Sequence, residues 1–223
     1  MREIYHLVFI FICYFDIPNI PEHIIYNGNP VQYTSLPKTY QPKIVPKAPF
    51  IFFIGEFQER KNIHTMVAML QHLPETALVL SGKNTSSYAD EIRTLIAKLQ
   101  LSNRVYLTGK ISEEAKNYYY QHCLAFGFPS LREGFGIPPI EAMTFGKPVF
   151  LSDKSSLPEI GGEQAFYWKD FDPENMATVF QEGMNDYNDN KEAYTANYKK
   201  YAASFDWANT AMEYMKIYQE LLA

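Results

Sequence analysis

Apolar residues occur from residue 50 onward in short, continuous runs separated by more polar stretches. The runs are FIFFIG (50–55), ALVLSG (77–82), RVYLTG (104–109), CLAFGFP (123–129) and PVFLSD (148–153). They recur at roughly 20- to 27-residue intervals, which is within the size of a βαβ unit. Because the runs are continuous rather than alternating, they predict strands that are buried on both faces of a parallel sheet.

The stretches between these runs have helical periodicity. In the first of them, apolar residues fall on one face at steps of three and four, at Ile63, Met66, Val67, Leu70 and Leu73. Segments 87–100 and 112–122 are similar, and the pattern after residue 173 is helical to the end of the chain. The sequence therefore predicts an α/β protein with a Rossmann-like parallel sheet, helices on both faces and extra C-terminal helices.

The segment before the first run differs in composition. Residues 22–49 are proline-rich and irregular, which predicts a linker, and the pair Asn27-Gly28 predicts a turn. The regular pattern that follows predicts one domain over residues 50–223. Sheets of this kind bind ligands beyond the carboxyl ends of their strands, so the loops at that edge are the candidates for a site.

Residues 1–21 are predicted to be an apolar remnant of a preceding unit or a core element. The apolar run from Leu7 to Phe15 is too short to span a bilayer. A signal peptide is disfavoured because Glu3 offsets Arg2 and no small-residue cleavage site follows. The sequence therefore predicts no transmembrane segment, while peripheral association with a membrane stays open.

Composition and charge narrow the choice of partner. The 223 residues are 47% hydrophobic and carry a net charge of −5, with no Lys/Arg run that could form a basic face, so a nucleic-acid partner is not expected. Cys13 and Cys123 lie in apolar runs without Cys-x-x-Cys spacing, which favours buried thiols in the reducing cytoplasm. His64, His72 and His122 lack ligand spacing, so no metal site is expected.

The first chemical signal is the stretch SLREGFGIPPIEAM, in which Glu133 and Glu141 flank a Gly-Phe-Gly turn before a helix that begins near Pro138. Backbone N–H groups in such a turn suit an anion such as a diphosphate, and carboxylates accept hydrogen bonds from hydroxyls. A nucleotide sugar has this layout. On the pair alone a second interpretation is equally open: Glu141 stabilises the helix dipole from the first turn, and Glu133 is a solvated loop residue.

The second signal is GEFQERKN, residues 55–62, which ends the first strand and leads into the next helix. Arg60 and Lys61 are placed where cations can reach an anion held over the edge of the sheet. The alternative is a solvated basic pair in a charged loop, which is the commoner case in general. The sequence alone leaves both interpretations open.

Taken in order, these motifs resemble a known family. GEFQERKN, LVLSGK, RVYLTGKIS, FPSLREGFGIPPIEAMTFGKPV and SSLPEIGGEQAFYWKDFDPE are similar to the C-terminal, nucleotide-sugar-binding half of family 4 glycosyltransferases of the two-Rossmann (GT-B) type. The resemblance covers about residues 22–223. It implies a retaining hexosyltransferase of polysaccharide biosynthesis that uses a UDP- or GDP-sugar, with no metal or other cofactor, in the cytoplasm or at the inner face of a membrane.

The resemblance implies two catalytic residues. Lys61, helped by Arg60, would neutralise the diphosphate as it leaves, and Glu133 would contact hydroxyls of the donor sugar. Glu141 would hold the ribose hydroxyls. Stabilising charge that develops in the transition state is electrostatic catalysis, and it needs no metal ion.

The resemblance also implies a set of donor-binding backbone positions. The turn that would lie against the sugar and the diphosphate consists of Gly134, Phe135, Gly136 and Ile137. The turn at Lys110 and Ile111, with Glu113 nearby, would border the base.

Two departures from the family qualify these expectations. Many members have arginine where this chain has Glu56, so more of the phosphate neutralisation would fall on Arg60 and Lys61. The residues before 22 are too few for the N-terminal Rossmann half that supplies the acceptor site. We therefore expect the chain to be a fragment, a truncated product, or one half of an enzyme completed by a separate acceptor-binding polypeptide. A non-catalytic nucleotide-sugar-binding module is therefore the alternative function, and an epimerase or a phosphorylase of the same architecture is a weaker one.

Overall fold

The computed structural model describes residues 23–31 and 40–222, and a six-stranded sheet lies at its centre. The strands are β1 (Phe50–Ile54), β2 (Ala77–Ser81), β3 (Val105–Gly109), β4 (Ala125–Phe128), β5 (Val149–Ser152) and β6 (Phe166–Trp168). Their order is β3-β2-β1-β4-β5-β6, and every neighbouring pair is parallel. The five predicted strands are confirmed. The sequence analysis missed β6, because three residues do not form a recognisable run.

Eight α-helices occur in the described residues. They are α1 (Ile63–Met69), α2 (Ser87–Lys98), α3 (Glu113–His122), α4 (Ile137–Thr144), α5 (Leu157–Gly161), α6 (Pro173–Asp189), α7 (Lys191–Ser204) and α8 (Trp207–Leu222). The predicted helices are confirmed, including the helical C-terminal part. The five-residue α5 was not predicted. Short 3₁₀ turns at Glu59–Lys61 and Leu70–His72 flank α1.

Helices cover both faces of the sheet, as the strand pattern predicts. Two adjacent residues of β4 show this. The ring of Phe126 lies 5.6 Å from that of Tyr120 on α3, whereas a Cβ on Gly127 would lie 2.5 Å from the methyl carbon of Met66 on α1. Since successive side chains of a strand point to opposite faces, α1 and α3 cover opposite sides of the sheet. The α/β, Rossmann-like fold class is confirmed.

The strand order places the two chemical motifs next to each other. β1 pairs directly with β4, with Ile51 opposite Ala125 and Phe52 opposite Phe126. Because both strands run in the same direction, the loops after their carboxyl ends meet at one edge of the sheet. GEFQERKN and SLREGFG are these two loops. The order of strands therefore brings together segments that are about 70 residues apart in the chain.

The described part of the N-terminal segment packs on the C-terminal helix. The backbone carbonyl of Tyr26 accepts a hydrogen bond from Thr210 Oγ1 at 2.7 Å. A Cβ on Gly28 would lie 2.4 Å from Cγ of Trp207, so only glycine permits this approach. The turn predicted at Asn27-Gly28 is wrong, since residues 23–31 contain no turn. Close packing, rather than turn geometry, explains the glycine.

Only part of the predicted domain division falls within the described residues. Residues 23–31 and 40–49 contain neither helix nor strand, as the composition of residues 22–49 indicates, but their role as a linker stays a prediction. The predicted apolar remnant, residues 1–21, lies outside the described residues. Cys123 is buried, as predicted, and burial raises the pKa of its thiol to about 12. Over the described ranges, the helices are all too short or too polar to cross a membrane.

Candidate functional site

Lys61 and Glu133 form an ion pair at the edge of the sheet. Lys61 ends the 3₁₀ turn after β1, and its ammonium Nζ lies 2.6 Å from Glu133 Oε1. The same nitrogen lies 4.7 Å from the centre of the Phe128 ring. Only 7% of Lys61 and 9% of Glu133 are exposed. The structure thus brings the two predicted catalytic residues into direct contact, in a largely buried position.

Arg60 ties the two loops together from the outer side. Its guanidinium Nη1 donates to the backbone carbonyl of Arg132 at 2.7 Å and lies 3.4 Å from Glu133 Oε1. The Arg60 carbonyl in turn accepts from the N–H of Leu131 at 2.7 Å. The Arg60 side chain is 43% exposed, so it can also meet a ligand that approaches from solvent.

All the described donors that reach the Glu133 carboxylate meet at one of its two oxygens. Lys61, Arg60 and the Ser130 hydroxyl each contact Oε1. Within residues 23–31 and 40–222, Oε2 accepts no hydrogen bond. A carboxylate oxygen can accept two, so Glu133 retains unused acceptor capacity for hydroxyl groups.

The pKa of Lys61 is lowered from its ordinary value. Burial away from water is the main cause, the hydrogen bond and charge of Glu133 oppose it, and the nearby Arg60 cation adds to it. Glu133 therefore offsets only part of the cost of burying the ammonium group. An additional anion beside Lys61 would stabilise the charged form further. This is the property that a binding site for a phosphate group requires.

The turn Gly134–Ile137, here named the amide turn, follows Glu133 directly. Gly136 has φ of +113°, which favours glycine, and is the N-cap of α4. Because Pro138 and Pro139 carry no N–H group, the amides available at this helix start are those of the turn itself. Among the described residues, none of the four amides donates a hydrogen bond. The turn thus offers up to four donors to an anion.

Two serines hold this turn from the β5–α5 loop. The Ser155 hydroxyl donates to the Glu133 carbonyl at 2.8 Å, and the Ser156 hydroxyl donates to the Phe135 carbonyl at 2.7 Å. Ser155 itself adopts φ of +57°, which is uncommon outside glycine, asparagine and aspartate. The Phe135 carbonyl of the turn and the adjacent Glu133 carbonyl are thus occupied, while the four amide groups of the turn donate to no described residue.

Glu141 lies apart from Lys61 and Glu133, on the second turn of α4. Its Oε1 accepts from the Lys116 ammonium at 2.9 Å, and its Oε2 accepts from the Tyr120 hydroxyl at 2.8 Å. Both partners belong to α3, and Glu141 is 5% exposed. The expected place in the first helical turn is wrong, because α4 begins at Ile137. A simple helix-dipole role does not explain a buried carboxylate that accepts a hydrogen bond on each oxygen.

The two groups that hold Glu141 have altered pKa values. Burial works to lower the pKa of Lys116, but hydrogen bonds and charge from Glu113 and Glu141 outweigh it, so the pKa is raised. Burial, reinforced by the Glu141 charge, raises the pKa of Tyr120 well above its ordinary value. Lys116 therefore stays a cation and Tyr120 a neutral donor at neutral pH.

The predicted base-bordering residues lie in the loop between β3 and α3. Lys110 and Ile111 border a cavity of about 340 Å³ together with Tyr40, Lys43 and Tyr119. In the part of the chain that the structure describes, no hydrogen bond or ion pair joins them to Lys61, Glu133 or Glu141. The structure thus places them along the same edge of the sheet, but not in contact with the other candidates.

A larger cavity, of about 700 Å³, opens beside the amide turn. Gly134 and Phe135 form one wall, residues 23–27 a second, and Tyr214 and Tyr218 of α8 a third. A Cβ on Gly134 would meet nothing within 4 Å, so this glycine faces open space rather than a packed neighbour. Any larger residue there would fill space next to the turn.

Glu56, the departure from the family pattern, is exposed. Its carboxylate accepts from Gln58 Nε2 at 2.9 Å, and Gln58 in turn accepts from Arg60 Nε at 2.9 Å. Its charge is also the weakest of the influences on the Lys61 pKa, which it raises. Glu56 therefore acts on the cations from a distance and forms no ion pair with them.

Several residues at this edge were missed by the sequence analysis. They are Ser130, Ser155 and Ser156 around Glu133, and Lys116 and Tyr120 around Glu141. Helical spacing gives a signal for the second pair, since residues four apart on α3 share a face. The serines gave no signal of their own, beyond their place at the carboxyl ends of strands. In the described ranges, no three His, Cys, Asp or Glu side chains cluster as metal ligands do.

Comparison with known proteins identifies the family of the chain. The sequence profile of the family "Glycosyl transferases group 1" matches residues 38–201. The serotype-specific mannosyltransferase WbdA of Escherichia coli is 31% identical over 172 residues, covering 73% of this chain and 20% of its own length. The O-antigen chain mannosyltransferase B of the same species is 29% identical over 180 residues, covering 77% of this chain and 46% of its own length.

Solved structures match the fold in the same way. Sucrose-phosphate synthase from Thermosynechococcus elongatus superimposes with a TM-score of 0.67 at 27% identity, covering 80% of this chain and 47% of its own. The HepE protein of Anabaena, solved with UDP and glucose, superimposes with a TM-score of 0.68 at 20% identity, covering 78% of this chain and 48% of its own. The chain thus spans from a fifth to about half of the length of the proteins it matches. It belongs to the group 1 glycosyl transferases, and its sheet is of the Rossmann-like kind found in GT-B enzymes.

Proposed function

We propose that this chain binds a nucleotide-diphospho-sugar and is the donor-binding part of a retaining glycosyltransferase that transfers a hexose. The observation that carries the proposal is the amide turn, which directly follows Glu133 beside Lys61 and Arg60. Its four N–H groups donate to no residue that the structure describes. Unpaired amides and a cation whose pKa is lowered by burial both favour an anion at this point. A diphosphate is the anion that a nucleotide sugar supplies.

The names of relatives indicate which donors to test. Two curated relatives are mannosyltransferases, which makes mannose the first sugar to examine. A protein of similar fold was solved with UDP-glucose, which makes uracil one of the bases to examine. We therefore propose a UDP- or GDP-sugar as the donor.

The binding mode follows the order of groups along the edge of the sheet. Glu141 would accept hydrogen bonds from the ribose hydroxyls, and the amide turn would hold the diphosphate together with Lys61. Glu133, through its unused oxygen, would accept hydroxyls of the sugar. The base would lie toward Lys110 and Ile111, next to the smaller cavity.

In the reaction, the acceptor oxygen bonds to the anomeric carbon on the same face of the sugar, and its proton passes to the departing phosphate oxygen. As the bond between the anomeric carbon and that phosphate oxygen breaks, negative charge accumulates on the departing diphosphate. Lys61, Arg60 and the amide turn are already in place around that position, so they stabilise the charge without reorganisation. This chemistry requires no metal ion. We propose that the acceptor is held by a second domain or polypeptide, because a GT-B enzyme reacts in the cleft between two such units.

A second candidate function is a nucleotide-sugar-binding module that performs no transfer by itself. The observation that favours it is the exposure of the site: Arg60 is 43% exposed, and the 700 Å³ cavity beside Gly134 is open. Transfer requires an acceptor hydroxyl to be positioned and water to be excluded. Sustained donor binding without transfer or donor hydrolysis would favour this second function.

Binding is tested first by calorimetry with UDP, GDP and ADP and their sugars. We expect Glu141→Ala and Lys61→Ala each to weaken nucleoside-diphosphate binding about tenfold, since each removes a hydrogen bond that involves a charged group. The loss for Lys61→Ala should shrink at high salt, whereas that for Glu141→Ala should not. Lys98→Ala, on the exposed surface of α2, is the matched control. Unchanged binding in both site variants would refute the assignment.

A further inference from the structure

The contact between α3 and α4 is made by three buried or half-buried polar side chains. Lys116 and Tyr120 are four residues apart and therefore on one face of α3, and each donates to a different oxygen of Glu141. Tyr120 is fully buried, and its ring packs against those of Phe126 and Phe145. The phenolic hydroxyl therefore has a fixed position, and the Glu141 carboxylate is held from two sides.

Such an arrangement fixes the orientation of the carboxylate. Burying a charged group is costly unless it is paired and hydrogen-bonded. The Lys116 cation and the Tyr120 hydroxyl are its partners, and a second contact of 2.8 Å with the exposed Glu113 holds the cation in place. The two donors also prevent rotation of the carboxylate about its own axis. Glu141 is thus kept in one orientation.

Each oxygen of a carboxylate can accept two hydrogen bonds, and here each accepts one from the protein. Two acceptor positions therefore remain, one on each oxygen, in a fixed relation to each other. A pair of neighbouring hydroxyls supplies two donors at a matching separation. The ribose of a nucleoside diphosphate carries such a pair, at its 2′ and 3′ positions.

We infer that Lys116 and Tyr120 are positioning residues that hold Glu141 in the orientation in which it selects a ribose with both hydroxyls. The inference rests on the proposed function, since it concerns the ribose of the same donor. Neither residue has to contact the ligand. They act through Glu141, so their loss should affect the recognition of the hydroxyls and not the recognition of the diphosphate.

The experiment compares each nucleoside diphosphate with its 2′,3′-dideoxy counterpart. UDP, GDP and ADP are titrated into the wild-type protein first, and the base that binds most tightly is used for the pair. We expect the wild type to prefer the ribonucleotide by about tenfold or more, because the dideoxynucleotide lacks two hydrogen bonds to a charged group. The dideoxynucleotide serves as the internal control, because it retains the base and the diphosphate.

The central variant is Lys116→Met, which keeps most of the side-chain length and removes the charge. We expect about a tenfold loss of affinity for the ribonucleotide and less than about a twofold change for the dideoxynucleotide. Lys116→Arg should recover most of the preference, because it restores a donor and a positive charge. Lys98→Met is the matched control and should leave both affinities unchanged.

Tyr120→Phe is a second and more conservative variant, because it removes one hydroxyl and keeps the packed ring. It should reduce the ribonucleotide preference about threefold to tenfold while circular dichroism shows an unchanged fold. An equal loss for both nucleotides, or no loss in either variant, would overturn the inference while the proposed function stands. A wild-type protein that binds no nucleoside diphosphate would overturn the proposed function, and this inference with it.

Discussion

Two lysine–glutamate pairs lie near the same edge of the sheet, and they differ in how well each lysine is compensated. Lys61 and Glu133 are on loops after β1 and β4, whereas Lys116 and Glu141 are on helices α3 and α4. The pKa of Lys61 is lowered because burial outweighs the attraction of Glu133. The pKa of Lys116 is raised because two carboxylates outweigh its burial.

The difference lies in the ratio of donors to carboxylates. At the loop pair, two cations and a hydroxyl share one oxygen of Glu133. At the helix pair, one cation lies between two carboxylates, Glu113 and Glu141. An excess of positive charge suits a site for a diphosphate, and a cation held between two carboxylates suits a carboxylate that must keep its position. We therefore expect the two pairs to respond differently to the same changes.

The largest expected difference is in the cost of removing each glutamate. Glu133→Ala leaves the buried Lys61 beside the Arg60 cation without a carboxylate, so we expect a loss of about 3 kcal/mol in the free energy of unfolding. Glu141→Ala leaves Lys116 with Glu113 and removes the acceptor of the Tyr120 hydroxyl. For this variant we expect a loss of about 2 kcal/mol in the free energy of unfolding. Urea denaturation followed by circular dichroism measures both values.

The matched control for this comparison is Glu133→Gln, which keeps an oxygen acceptor for Lys61 and Ser130 but removes the charge. It should be less destabilising than Glu133→Ala. A larger loss of stability for Glu141→Ala than for Glu133→Ala would contradict the proposed difference in charge compensation between the two pairs.

The two lysines should also give opposite pH dependence of stability. For Lys61 the folded-state pKa is lowered, so the unfolded chain binds more protons between that pKa and 10.5. Its contribution to stability therefore rises with pH through this window. For Lys116 the folded-state pKa is raised, so its stabilisation is present below 10.5 and is lost as the pH rises through the folded value.

The measurement is the difference in unfolding free energy between wild type and Lys61→Met, and separately Lys116→Met, from about pH 8 to about pH 11. Taking differences removes the contribution of the tyrosines and other lysines that titrate in the same range. Nucleotide binding should fall with rising pH through the Lys61 window, although stability rises there. Two difference curves with the same slope would contradict the contrast between the pairs.

These pairs also show what the sequence can predict. The continuous apolar runs identified five of the six strands, because the runs have the length and composition of buried parallel strands. Their order in the sheet then placed GEFQERKN beside SLREGFG, so the contact of Lys61 with Glu133 follows from topology. The three-residue β6 and the five-residue α5 were missed, since segments of this length show no clear period.

The environment of each glutamate was less predictable. Glu133 lies in the loop after β4 and Glu141 on the second turn of α4. Nothing in the local sequence indicates that one oxygen of Glu133 is shared by three donors or that Glu141 is held by a second helix. The partners Lys116 and Tyr120 precede Glu141 by more than 20 residues. Their contact depends on how α3 packs on α4, and a single sequence contains no information on that distance.

A smaller effect is expected from the serines behind the loop pair. Ser156→Ala removes the hydrogen bond to the Phe135 carbonyl and a weaker one to the Glu133 carbonyl, at 2.7 and 3.2 Å. We expect a loss of about 1 kcal/mol in stability and a few-fold weaker diphosphate binding, because the amide turn loses its support. Ser87→Ala, an exposed serine in the first turn of α2, is the control. Weakened stability with unchanged binding would show that the turn does not depend on this support.

The smallest expected effect tests whether the excess of positive charge at the loop pair can be increased. Glu56 is exposed and acts on Lys61 only through its distant charge. Glu56→Arg replaces an acid by a cation on the same loop, so we expect about twofold to fivefold tighter binding of a nucleoside diphosphate at low salt, and little change at high salt. Glu59→Arg makes the same change of charge three residues further along the loop. If both variants tightened binding equally, the gain would come from net charge alone; a gain confined to Glu56→Arg would show that position 56 faces the diphosphate and that Arg60 and Lys61 neutralise it only in part.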